Sequence, residues 1–464
     1  MMLTKQELQA ILDQTLDTGA DFAEIFLEDT RGETIRVNNG EVSAISHTNT
    51  YGAGVRLICG DDEVYGYTND TSYESVLNLA NNLKQGFNKP ANKAVKLGNK
   101  KPYQTTFEIP FDSVSLKEKA AKVAELSSLM KSESDKVVQA ITVLLQEEQD
   151  VLIVNTNGVY QDDKRVSTRV VLQVAVSDGT NMYDSFSGPG RACGLEFFDL
   201  IDLKTIAKET VESALILLGA DDMEAQVMPV ILHNGFGGVI FHEACGHPLE
   251  ATNIVKGLSP FVGKVGEKVA SDIVTAIDDG TIEGAWGHLS FDDEGMPTQK
   301  NILIEDGVLK SYLVDYKSSK KLGIAATGSG RRQSYKYPPT SRMNSTYIAA
   351  GNDTLEEIIK DTKFGLFAKK LGGGSVQPAT GEFNFVVTEG YMVENGKITK
   401  PVRGATLIGQ GADVLFKIDK VANNLELGQG VCGAASGAIH TDVGQPTIRV
   451  SSMTVGGAGG KSNV

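Results

Sequence analysis

Hydrophobic positions in the first half of the chain switch between two periods. Leu8, Ile11, Leu12 and Leu16 recur at helical spacing behind Thr4-Lys5-Gln6-Glu7, a capping box, so the chain opens with a helix that Gly19 ends. Further helical patterns run from about 71 to 86, from Ser115 to about Lys131 behind the capping box Ser115-Leu116-Lys117-Glu118, and from Leu203 to Leu218. Between them the period falls to two. The runs Phe22 to Leu27, Thr34 to Val37, Gly54 to Ile58, Val137 to Leu145, Val151 to Asn155, Val159 to Gln161 and Val166 to Val176 read as short strands. Asn38-Asn39-Gly40, Gly60-Asp61-Asp62 and Asn157-Gly158 supply hairpin turns between them.

Past Gly219-Ala220-Asp221-Asp222 the texture changes. Of the 50 glycines, 15 fall up to residue 222 and 35 after it. Short runs such as Ile302 to Ile304, Val308 to Val314, Tyr347 to Ala349, Phe383 to Val387 and Ile448 to Val450 alternate with turns, Asp306-Gly307 and Asn395-Gly396 being the strongest. The expectation is an α+β chain of two domains. Residues 1–222 form an N-terminal antiparallel sheet with helices, and residues 223–464 a C-terminal β-rich, barrel-like domain.

Composition narrows the function. The chain has 464 residues, and 59 acidic against 44 basic side chains give a formal charge of −15, which repels nucleic-acid phosphates and anionic lipid. Direct nucleic-acid binding is therefore not expected. Four cysteines, Cys59, Cys193, Cys245 and Cys432, lie far apart without a C-x-x-C pair, which fits reduced thiols in the cytoplasm. The N-terminus lacks the basic and apolar regions of a secretion signal. The longest stretch free of charged side chains, Ala225 to His242, is broken by Pro229, His233, Asn234 and three glycines, so no membrane span is expected.

Candidate chemistry concentrates in one segment. Asn234 is placed to cap a helix with the body Phe236 to Gly246, and His242-Glu243-Ala244-Cys245-Gly246-His247 reads H-E-x-x-x-H. In the metallopeptidase pattern H-E-x-x-H two imidazoles share one helical face and the glutamate faces the metal-bound water. A spacing of five turns the second imidazole roughly 140° around a regular helix, so both rings meet one ion only if the helix deforms. Gly246 permits a widened π-type turn, and Pro248 biases His247 away from helical dihedrals, so deformation is expected there. A catalytic zinc needs a third ligand. Glu250, His233, His288, His440, Cys245 and Cys432 all remain open on the pattern alone, although Cys245 reads better as a small buried hydrophobe.

The sequence resembles the TldD/PmbA family of metallopeptidases, also described as modulators of DNA gyrase. Besides H-E-x-x-x-H, the resemblance rests on Gly19-Ala20-Asp21-Phe22-Ala23-Glu24, Asp292-Asp293-Glu294-Gly295-Met296-Pro297-Thr298-Gln299, Gly330-Arg331-Arg332-Gln333-Ser334, Gly381-Glu382-Phe383-Asn384-Phe385 and Gly444-Gln445-Pro446-Thr447. It implies one zinc ion per chain held by His242, His247 and Cys432, the cysteine standing in Gly428-Gln429-Gly430-Val431-Cys432-Gly433. It also implies Glu243 as general base for hydrolysis of peptides or unfolded polypeptides. The family divides into an active type that keeps H-E-x-x-x-H, as this chain does, and a paralogous type that has lost it. A homodimer, or a heterodimer with the inactive type, is the implied assembly.

Two other functions stand beside this one: a non-enzymatic regulator, and a hydrolase using Cys245 as nucleophile. Several further features carry milder expectations. Asp292-Asp293-Glu294 reads as a solvated acidic loop, Asp278-Asp279-Gly280 as a turn, and Trp286 with His288 as strand packing. Arg331-Arg332 with Tyr335 and Tyr337 mixes basic and aromatic residues, and either Arg331 or Tyr335 could assist an oxyanion or meet a substrate carboxylate. Gly460-Lys461-Ser462 falls short of a phosphate-binding loop. An extended substrate could add itself to an exposed sheet edge.

Overall fold

The computed structural model describes residues 3–103, 107–377 and 380–457. The first half is built on an antiparallel sheet whose main strands are β1 (Phe22–Asn38), β2 (Glu41–Cys59), β3 (Asp62–Thr68), β4 (Val137–Asn155), β5 (Tyr160–Ser177) and β6 (Met182–Ser187), in the order β3-β2-β1-β4-β5-β6. The expected short strands fuse. Thr34–Val37 continues Phe22–Leu27 in one strand of 17 residues, and β4 and β5 each swallow two of the runs. The polar interruptions survive inside β1 because β2 and β4 pair with it along nearly its whole length, and its charges find partners: Arg31 meets Glu148, and Lys119 meets Glu33.

Odd-numbered residues of β1 face the helices. Ile25 and Leu27 pack with Leu8, Ile11 and Leu12 of α1 (Lys5–Thr15) and Val76 and Ala80 of α2 (Tyr73–Lys84). Ile35 and Val37 pack with α3 (Leu116–Ser132) and the helix Leu203–Gly219. Capping boxes at Thr4 and Ser115 are formed as expected. Even-numbered Glu24, Phe26 and Glu28 point the other way, at the second half of the chain.

There, Asp292-Asp293-Glu294 is not a solvated loop. All three are buried: Arg56 reaches Glu294 at 2.6 Å and Arg165 reaches Asp293 at 2.6 Å from distant segments, Asp292 accepts the backbone N–H groups of Glu294, Met296 and Gly330, and Arg332 pairs with Glu24 and donates to the Asp293 carbonyl. Buried carboxyl groups persist only when each finds such partners. Tyr335 completes the junction, packing on Phe26, Val151 and Ile153 and donating its N–H to Glu28.

The second half contains a closed five-stranded barrel. Phe364–Gln377, Gln226–Leu232, Ile448–Gly456, Thr406–Gln410 and Glu382–Glu394 follow one another around it, and the last pairs back with the first. Beside it lies a sheet in the order Val308–Leu309, Lys300–Glu305, Ala276–Asp279, Ser345–Ile348, Gly437–Gln445, Glu426–Ala434. Both expected Asx-Gly turns form with positive φ at each position, Asp306 with Gly307 and Asn395 with Gly396. Asp278 and Asp279 end a strand rather than make a turn, and Trp286 stacks on His440 outside any strand. Gly460-Lys461-Ser462 lies outside the described residues. Among those described, no helix is long and apolar enough to cross a membrane.

Candidate metal centre

The segment carrying His242 leaves the barrel strand Gln226–Leu232 and runs across the neighbouring sheet. It is not one regular helix. A 3₁₀ turn at Gly235–Gly238 leads to an α turn at Val239–Phe241, a π turn at His242–Gly246 and a 3₁₀ turn at His247–Leu249. Asn234 does not cap it; its side-chain N–H₂ donates to the Asn424 carbonyl. At Gly238 the backbone lies so close to Gly444 that no Cβ fits, which lets the turn rest directly on the hairpin Glu426–Ala434/Gly437–Gln445.

The π turn solves the spacing problem, and Pro248 plays no such part, since His247 keeps helical dihedrals of −58° and −42°. The His247 N–H bonds to the His242 carbonyl, five residues back, and this wider turn returns the second imidazole to the face of the first. Their ring centroids stand 5.0 Å apart. Gly246 sits within this turn against Met343, whose Sδ occupies the space a Cβ would need.

Cys432, on the hairpin strand Glu426–Ala434, faces both rings. Its Sγ is 3.3 Å from His242 Nε2 and 3.1 Å from His247 Nε2, and all three atoms lie within 4.8 Å of one another. Burial alone would raise this thiol, but hydrogen bonds and charge from the two histidines pull it down to about 4, into the thiolate form. Burial would lower His247, yet Glu250 and the sulfur hold it well above its ordinary value. The His247 Nδ1–H donates to Glu250 Oε1 at 3.0 Å, leaving Nε2 directed at the sulfur.

This donor set fits zinc. Two imidazole nitrogens and a thiolate are the ligands that borderline-soft Zn²⁺ takes, and tetrahedral bonds of roughly 2.0 and 2.3 Å put nitrogen and sulfur about 3.5 Å apart. Glu243 flanks the cluster, its Oε2 3.8 Å from His247 Nε2, with its side chain 31% exposed.

The remaining candidates lie elsewhere. Glu250 orients His247 from the Nδ1 side. His233 bonds Thr447, and Cys245 belongs to the hydrophobic core with a thiol that burial pushes far up. Arg331 donates to the carbonyls of Met343 and His440, and Tyr335 lies in the sheet junction, so neither joins the cluster. Pattern reading missed Arg342. This fully buried guanidinium donates to the Cys432 and Gly437 carbonyls and to Ser436 Oγ, and its Nε stands 3.9 Å from Glu250. The strand bearing Cys432 is an edge strand, but Trp286 Nε1 already occupies the Gly430 carbonyl and Arg342 that of Cys432.

A barrel-bearing α+β fold with a His/His/Cys cluster beside a glutamate has the makings of a metal-dependent hydrolase. Family models described as PmbA/TldA metallopeptidase domain 1, central domain and C-terminal domain match residues 23–86, 109–218 and 225–457. The chain belongs to the PmbA/TldD metallopeptidase family. It is 35% identical to a metalloprotease TldD homolog of Haemophilus influenzae, covering 98% of this chain and 97% of that one. Against the TldD homolog of Buchnera aphidicola from Acyrthosiphon pisum the identity is 32%, covering 98% and 96%. In fold it is similar to TldE from Thermococcus kodakarensis, with TM-score 0.76 and 21% identity over 98% of this chain and all of that one. A Thermotoga maritima protein solved as a candidate modulator of a DNA gyrase gives TM-score 0.80 at 22% identity, covering 97% and 99%.

Proposed function

We propose that this chain is a zinc-dependent peptidase in which His242, His247 and Cys432 hold one zinc ion and Glu243 is the general base. The observation that carries the reading is the convergence of two Nε2 atoms and one thiolate on a single point beside a half-buried carboxylate. Zinc held by His242, His247 and Cys432 would supply Lewis acidity and make a water more acidic. Glu243 takes the proton from the attacking water at its carboxylate and returns it to the leaving amine. Glu250 fixes the tautomer of His247 so that Nε2 is free to coordinate, and Arg342 holds the backbone at Cys432.

Peptides or unfolded polypeptides are the substrate class the family assignment favours. The name of the Thermococcus kodakarensis neighbour supports a partnership with an inactive-type subunit, a homodimer being the other arrangement. Four free, buried cysteines suit the reducing cytoplasm. Residues 223–464 would form the metal-bearing domain.

Glu243→Gln is the decisive variant. It should retain metal by mass spectrometry and lose peptide hydrolysis by a factor of about 10² to 10⁴. Full activity in that variant removes Glu243 from the mechanism. Chelator-resistant cleavage that alkylation abolishes would point to a cysteine hydrolase instead. An unimpaired cellular role in Glu243→Gln would point to a binding protein.

A further inference from the structure

A cavity of about 260 Å³ lies between β4–β5 of the first half and the reverse face of the hairpin that carries Cys432. Val431 and His440 pair across that hairpin and line the cavity, whereas Cys432 alternates to the opposite face and the metal cluster. None of His242, Glu243, His247 and Cys432 lines the cavity. Trp286 stacks on His440 at 3.9 Å between centroids and lines the same space.

Two buried polar side chains of the lining are incompletely satisfied. Arg331 is only 5% exposed, yet among the described residues it has no carboxylate within 4.0 Å, and its Nε has no hydrogen-bond partner. Its neighbours Arg165 and Arg332 are both ion-paired. A buried guanidinium without a counter-ion is costly, and the cavity beside it offers room for one. His288, 8% exposed, donates from Nδ1 to the Gly280 carbonyl at 2.9 Å. Burial keeps the imidazole neutral, so its Nε2 carries a lone pair, and that buried atom has no donor. Glu147, at the solvent-exposed rim of the same lining, makes no ion pair or side-chain hydrogen bond among the described residues.

We propose that this cavity binds a small zwitterion, a free α-amino acid or a dipeptide, with its carboxylate on Arg331 and its ammonium held by His288 Nε2 and Glu147. One unpaired cation on one side, with a lone-pair acceptor and an unpaired carboxylate on the other, match a ligand carrying both charges. A simple anion such as phosphate satisfies Arg331 but meets repulsion from Glu147. The volume suits a metabolite rather than a folded segment. The proposal stands independently of the peptidase reading.

Trp286 is the only tryptophan in the chain and lines the cavity, so its fluorescence reports occupancy directly. The full-length protein is titrated with L-alanine, alanylalanine, acetate and inorganic phosphate at constant ionic strength, in wild type, His247→Ala, Arg331→Gln and His288→Leu. The expected result is a saturable response to L-alanine or alanylalanine. That response persists in His247→Ala and is at least tenfold weaker in both Arg331→Gln and His288→Leu. If Arg331→Gln fails to fold by circular dichroism, His288→Leu and Arg331→Lys carry the test, each with the same tenfold loss. No saturable response to either zwitterion overturns the proposal. So does a response to phosphate or acetate alone, or unchanged affinity in the cavity variants.

Discussion

Arg342 donates from Nη2 to the carbonyl of Cys432 at 2.5 Å, while its Nε lies 3.9 Å from the carboxylate that orients His247. One buried side chain thus joins the two segments whose donors meet. A lysine keeps the charge but not the planar fork that serves several acceptors at once. Arg342→Lys should therefore weaken metal retention about 10- to 100-fold in a chelator-competition assay, with secondary structure preserved.

Metal uptake should release the proton of His247 and none from Cys432. In the metal-free protein Cys432, drawn down to about 4, is already a thiolate at pH 7, whereas His247, raised well above its ordinary 6.5, keeps its proton. Stability from the thiolate is full above the thiol's ordinary 9.0 and vanishes as pH falls through about 4. Stability from His247 is full below 6.5 and fades as pH rises through its raised value. Apparent zinc affinity should therefore rise with pH through the neutral range, until His247 loses its proton at its raised pKa. Calorimetry in buffers of different ionisation enthalpy counts the proton directly.

The π turn has no room for a side chain at its fifth residue. Gly246→Ala drives a methyl into Met343 Sδ, which is itself buried, and should cost about 1–3 kcal/mol with loss of bound metal. Met343→Ala in the same chain should restore metal content in part. A measured stability of Gly246→Ala equal to wild type would mean the turn is not so constrained.

Glu24 and Arg332 are both fully buried and pair across the junction between the two halves. Glu24→Gln leaves a guanidinium in the interior without its partner and should lower stability by about 3–5 kcal/mol in urea unfolding. Reversal of the pair, Glu24→Arg with Arg332→Glu, should recover little, because the Arg332 guanidinium also donates to the Asp293 carbonyl.

What the sequence made legible was local. The capping boxes at Thr4 and Ser115, the Asn-Gly and Asp-Gly turns and the distortion at Gly246 each depend on residues within a few positions of one another, and each is found where expected. Long-range partners were hidden. Nothing near Asp292-Asp293-Glu294 reveals that arginines 56, 165 and 332 converge on that segment, so an acidic run reads as solvated. The third donor was equally invisible from spacing. Six residues competed on the pattern, and only the packing of the Cys432 hairpin against the π turn separates them. Arg342 gave no signal at all, since a lone arginine in a turn-rich stretch looks like surface.

His247 and Cys432 are 185 positions apart in the polypeptide. An ion gripped by both would tether the barrel's flank to the hairpin, and binding to the folded form alone adds about 4 kcal/mol when free ion exceeds its dissociation constant a thousandfold. Starving cells of the ion would then shorten the survival of the chain itself, so that its abundance tracks supply as closely as its turnover does.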